Sequence, residues 1–150
     1  MSFIEPNLEV ILEKLGQLNS SQKPLWGEMN AQRMVEHLTD ILRFSTGKDS
    51  FALLIGEDKI EKMHSLLESD TPMPKNFEAP FAGKDVALRN EDLDLAIDEF
   101  VEEWIDFEEN FESDSEKTIV HAYYGPLNFE QWKRVHAKHV THHFQQFGLM

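Results

Sequence analysis

The chain has 150 residues and a mass of 17.5 kDa, the size of one ordinary domain. Its 28 acidic and 14 basic residues leave a net charge of −14, which argues against partners that need clustered Lys and Arg, namely nucleic acid and an anionic membrane surface. The absence of cysteine removes disulfides, zinc fingers and thiol catalysis and fits a cytoplasmic protein, while 41% apolar residues, with eleven Phe and three Trp, suffice for a buried core.

The N-terminal stretch Met1-Ser2-Phe3-Ile4-Glu5-Pro6 lacks a basic region followed by an apolar one, so no signal peptide is expected. No apolar run approaches the ~20 residues of a membrane span. Leu8, Ile11, Leu12, Leu15 and Leu18 form a helical stripe that Pro6 or Asn7 opens and the 19–24 stretch closes. A second helix starts at Asn30, a good N-cap type, and ends near Thr46-Gly47. Its inner face carries Met34, His37, Leu38, Ile41 and Phe44. Residues 51–56 are ambiguous between strand and helix. A short helix follows, with Ile60, Met63, Leu66 and Leu67 on one side. Residues 70–90 hold three of the six prolines and read as a long surface connection. That connection frees the long helices on either side from being antiparallel sequence neighbours.

The third long helix repeats Leu93, Ile97, Phe100, Trp104, Phe107 and Phe111, and from Glu91 to Glu112 it carries eleven acidic side chains and no basic one. A solvated outer face explains this pattern, and an acidic docking face around Glu102, Glu103, Asp106 and Glu109 is the functional alternative. Residues 118–126 read as a turn region. The last helix runs from Asn128 to Phe147, with Gly148 placed to end it. Four long amphipathic helices without convincing strands predict an all-α helical bundle in a single domain, 1–150.

Four of the seven histidines fall within residues 136–143. At ~100° per residue, His136, His139 and His143 share the inward stripe of Trp132 and Phe147, and His142 lies at its edge. His139 and His143 are one turn apart, so both rings can reach one point beyond the helix surface. A third ligand must come from another element, and His37 qualifies because its helix face must look inward. Neutral imidazole suits zinc, nickel, copper and iron(II), and three imidazoles leave one coordination position for water or substrate. The alternatives are a hydrogen-bonded core histidine at 37 and a polar or pH-sensitive patch at 136–143. The pattern lacks the glutamate of H-E-x-x-H, so a zincin-type peptidase is not supported. Asp40, one turn after His37, is a candidate to orient that imidazole. Asp40 and His142 are the candidate general bases. His136 is a candidate to line a pocket; Trp26, Tyr123, Tyr124 and Gln146 either line it or, the more common role for such residues, pack in the core or at the surface; and His121 either reaches the site or caps a turn.

Two motifs carry a family resemblance. One is Trp26-Gly27-Glu28-Met29-Asn30-Ala31-Gln32-Arg33-Met34-Val35-Glu36-His37-Leu38. The other runs from His121-Ala122-Tyr123-Tyr124-Gly125-Pro126 through Trp132 to Lys138-His139-Val140-Thr141-His142-His143-Phe144-Gln145-Gln146-Phe147-Gly148. The sequence resembles the DinB-like four-helix superfamily, in a branch known as a domain of unknown function. The resemblance implies an up-down-down-up four-helix bundle with a long crossover between helices two and three. It also implies a divalent transition metal, zinc or nickel foremost, held at the positions of His37, His139 and His143. The superfamily's Arg-Gly-Gln after the last ligand is here Phe144-Gln145-Gln146, so the glutamine is kept and the arginine is not. Ala122 replaces the branch's usual proline. The superfamily includes metal-dependent thiol transferases and isomerases. The implied function is therefore a metal-dependent hydrolase or low-molecular-weight-thiol transferase acting on a small-molecule substrate. The rival is a non-enzymatic metal-binding stress-response or helical interaction protein. By analogy a homodimer is expected, with Leu149 or residues 51–55 contributing.

Overall fold

A computed structural model describes residues 2–50, 52–75 and 86–150. They are mostly helical: α1 spans Leu8–Leu15, α2 Ala31–Ser45, α3 Ile60–Glu68, α4 Leu93–Glu112 and α5 Phe129–Gln146. A 3-10 turn at Glu57–Lys59 leads into α3. The helix starts follow local chemistry. The side chains of Asn7, Asn30, Asp92 and Asn128 each accept a hydrogen bond from a backbone N–H in the first turn of α1, α2, α4 and α5. At α5, Gln131 returns a bond to the Asn128 backbone and completes a capping box. α1 is shorter than its apolar stripe predicts, stopping before Gly16. Leu18 still reaches the core through a bond from its N–H to the Leu15 carbonyl.

The 118–126 turn region contains a feature the helical periodicity hides. Strands β1 (Ile119–His121) and β2 (Gly125–Leu127) form an antiparallel pair with Ile119 opposite Leu127 and His121 opposite Gly125. Gly125 needs its φ of +77° here, and a Cβ at that position would sit 3.0 Å from the Ile60 side chain. The segment 52–55 is neither helix nor strand, and Leu54 N–H is tied to the Ala122 carbonyl at 2.8 Å. Phe51 and residues 76–85 of the sequence-predicted connection lie outside the described residues.

Despite the long connection between them, α2 and α4 make the most extensive helix pairing, and α5 packs against both α2 and α3. The core gathers Met34, Leu38 and Leu42 of α2, Phe100, Trp104, Phe107 and Phe111 of α4, and Trp132 and Phe144 of α5. Leu149, an interface candidate by sequence, is buried in this core because its N–H returns to the Phe144 carbonyl at 2.8 Å. The acidic face of α4 is not wholly solvated. Glu103 is buried and meets Arg43 at 3.3 Å and Lys48 at 3.0 Å, Asp106 pairs with Lys48, and Glu99 pairs with Arg89. Buried Glu36 of α2 accepts from the backbone N–H groups of Arg89 and Asn90 and so docks the approach to α4. None of the helices of the described residues is long and apolar enough to cross a membrane.

Candidate metal centre

α2 and α5 bring together three buried imidazoles. His139 Nε2 lies 2.9 Å from His37 Nε2 and 3.1 Å from His143 Nε2. One ligand atom from each ring falls within 4.8 Å of the others. The rings meet edge to face, His37 with His139 at 79° and His139 with His143 at 80°, so the nitrogens converge while the rings splay apart. Each residue keeps a residual exposure of 7–8%, so the cluster lies close to solvent but is almost dry.

The protonation states suit metal ligation. Burial, reinforced by His143 and the Arg33 guanidinium, holds His37 well below the usual imidazole range. Burial and the two neighbouring rings do the same to His139. His143 is pushed down to about 4 by burial, against the opposing effect of its Gln146 hydrogen bond. All three are therefore neutral near pH 7, the form that offers a lone pair to a metal.

The donor set fits a divalent ion. Zn–N bonds of ~2.0–2.1 Å in a tetrahedral sphere separate ligand nitrogens by about 3.3 Å, a few tenths of an ångström more than the two shorter contacts here. Protons satisfy the cluster less well. His143 Nδ1 is paired with an acceptor, Gln146 Oε1, at 2.7 Å, so Nδ1 carries the proton and Nε2 is a lone pair. Either a single N–H on His139 then serves two acceptors, or His37 donates to His139 and the His139 and His143 lone pairs face each other at 3.1 Å. A cation that takes one lone pair from each ring satisfies all three. Among the described residues, His37 Nδ1 is buried with no hydrogen-bond partner.

The other histidines serve other ends. His136 faces inward but does not line the cluster. It is 2% exposed, packs 4.7 Å from Phe107 and stacks on Trp132, and it sits 2.8 Å from Ser45 Oγ. That pair is not a nucleophile and its base. Ser45 Oγ donates to the Leu42 carbonyl at 2.7 Å, so it accepts from His136 Nε2–H. Burial pushes His136 down to about 3. His121 accepts from the Tyr123 N–H at 3.1 Å and packs on Tyr124 and Trp132, which ties it to the hairpin turn. Burial pushes it to about 4. Both tyrosines belong to that turn, whereas Gln146 touches the cluster through His143 and Trp26 lies behind it, against Gln146 and His142.

The two candidate bases part company. Asp40 turns away from His37 and takes Arg89 Nη1 at 2.7 Å and Arg33 Nη1 at 3.3 Å. The physical reason is charge: two guanidiniums outcompete one neutral imidazole for a carboxylate. His142 stands at the border of the cluster, 4.9 Å from the His143 ring and 5.7 Å from Trp26. Lys75 lies 4.3 Å over the same Trp26 ring. Burial and the Lys75 charge depress the His142 pKa, against a hydrogen bond to the Met73 backbone. The sequence reading assigned no role to Arg33, which is 3% exposed one turn before His37, and named Trp26 without the contact that its carbonyl and Gly27 make with Gln146. The sharp Trp-Gly step was the available signal for that contact.

Fold and cluster together define a helical protein with a buried three-histidine group able to hold a metal ion. The chain belongs to the family described as "Protein of unknown function (DUF1569)", whose model matches residues 2–150. No curated protein and no solved structure is a significant match to the chain.

Proposed function

We propose that the chain is a metal-dependent enzyme of hydrolase or low-molecular-weight-thiol transferase type, with His37, His139 and His143 as the metal ligands. The observation that carries this reading is the convergence of three neutral Nε2 atoms from two helices on one nearly dry point. The resemblance to DinB-like proteins extends it to a single-domain, up-down-down-up four-helix bundle with zinc or nickel at that point. When bound, a divalent ion supplies Lewis acidity that lowers the pKa of a coordinated water or thiol toward neutrality.

The chain's own groups supply the rest. The three imidazoles would hold a zinc ion and leave one of its four preferred positions for water or substrate. His142, neutral near pH 7 and beside His143, is the nearer general base. Asp40, held by Arg33 and Arg89, keeps that arginine pair in place one turn from His37. Lys75 and Trp26 lie beside His142, and the proposed substrate is a small molecule.

Metal analysis of the purified chain beside His37→Ala, His139→Ala and His143→Ala tests the assignment. The expected result is about one zinc or nickel per wild-type chain and its loss in each variant, with helicity retained by circular dichroism. Stoichiometric metal that survives all three substitutions would falsify it. Activity screening with ester, amide and thiol substrates then separates an enzyme from a non-enzymatic metal-binding protein.

A further inference from the structure

The cluster is built on α2 and α5, but one of its three rings is also held from outside those helices. His143 Nδ1 lies 2.7 Å from Gln146 Oε1, and Gln146 Nε2 donates to the Trp26 carbonyl at 2.9 Å. Hydrogen-bond chemistry makes this chain of contacts directional. The Trp26 carbonyl can only accept, so the amide nitrogen of Gln146 must face it. The amide oxygen then faces His143, and it too can only accept. The proton of a neutral His143 is thereby placed on Nδ1, and the lone pair on Nε2, the atom 3.1 Å from His139 Nε2.

The loop that supplies the carbonyl is fastened to the end of α5. Leu25 N–H donates to the Gln146 carbonyl at 2.7 Å, and the Gln22 side-chain amide donates to the Phe147 carbonyl. Gly27 makes the approach possible. Its φ is +77°, and a Cβ there would stand 3.0 Å from Gln146 Nε2.

We infer that Gln146, oriented by the Trp26 carbonyl, is a positioning residue that locks His143 in its Nδ1–H tautomer and so aims the Nε2 lone pair at the point shared with His37 and His139. The inference rests on the reading of the cluster as a metal centre, but it makes a claim about the metal-free chain as well. A partner on the far ring nitrogen is the usual device by which a ligating histidine is held, and its loss typically weakens metal affinity about 10–100-fold.

The test uses the full-length chain. Long-range proton–nitrogen NMR on the metal-free protein reads the His143 tautomer, and zinc titration against a competing chelator reads affinity. The wild type should show His143 as the Nδ1–H form. Gln146→Leu should shift it toward Nε2–H and weaken zinc about 10–100-fold. Gln146→Glu keeps an acceptor facing Nδ1, and it should restore the tautomer and most of the affinity even though it loses the donor to Trp26. A wild-type His143 found as the Nε2–H form overturns the inference. So does a Gln146→Leu chain that keeps both tautomer and affinity within about twofold. If Gln146→Leu does not fold, the wild-type tautomer and the Gln146→Glu pair decide the matter. A wild type that binds no zinc or nickel sinks the metal-centre reading, whereas the metal-free tautomer still judges the role of Gln146.

Discussion

His136 and His143 stand two turns apart on one face of α5, yet they are put to different uses. The difference lies in what each one meets. His143 faces two other imidazoles and an amide oxygen, whereas His136 faces Ser45, Phe107 and Trp132. This makes His136 a liability in acid. Its folded pKa of about 3 lies below the ~6.5 of an unfolded histidine. Above pH ~6.5 both states are neutral and the residue adds no pH dependence. As pH falls from ~6.5 toward 3, the unfolded chain takes up a proton that the native core refuses, so stability is lost. At pH 5.5 the loss from this one site is about 1.4 kcal/mol, and His121, at about 4, acts in the same direction. Urea unfolding of the metal-free chain should show a lower midpoint at pH 5.5 than at 7.5, with a shallower pH dependence in His136→Phe. A midpoint that does not move between those pH values would refute the assignment. The sequence made the inward histidine stripe legible, because one-turn spacing is a property of a single helix. It left open which inward ring meets Ser45 and which meets His37, because those two come from another helix and no local spacing relates them to α5, whereas Gln146 follows His143 by three residues on the same helix.

The elements were legible wherever periodicity and capping agreed. α2, α4 and α5 start at Asn30, Asp92 and Asn128, residues whose side chains satisfy the first-turn N–H groups. The hairpin was not legible, because strands of three residues are too short to display alternation. The acidic face of α4 was legible as a pattern but not as an energy. Glu103 is nearly buried under Arg43 and Lys48, whereas Glu102 and Glu109 are exposed. Glu103→Ala would remove the buried carboxylate that Arg43 and Lys48 share, leaving Arg43 with Asp49 and Lys48 with Asp106, and should cost about 1 kcal/mol. Glu102→Ala and Glu109→Ala should each stay within about 0.5 kcal/mol. Chemical denaturation of the three variants checks this contrast, and equal losses at all three positions would show that the face acts only through bulk charge.

For the molecule as a whole, a net charge of −14 sets the sign of its long-range field. The chain should show no measurable affinity for duplex DNA in fluorescence anisotropy at about 50 mM salt, a concentration that favours electrostatic binding. Tight, salt-sensitive binding would contradict that expectation. The architecture of the cluster also bears on how the molecule comes together. His139 and His143 are neighbours on one turn, present as a pair in any nascent stretch of α5, but His37 is 102 residues away from His139 in the chain. The pair is a local property and the triad a global one. Closing so long a loop carries an entropic cost that only packing of α2 against its neighbours can offset, so the third imidazole arrives with the fold and not before it. The grip on an ion is then a gauge of tertiary closure. A substitution that loosens α2 from α5 registers there even when it touches no histidine, and an ion that is held draws the folding equilibrium toward the native state by mass action.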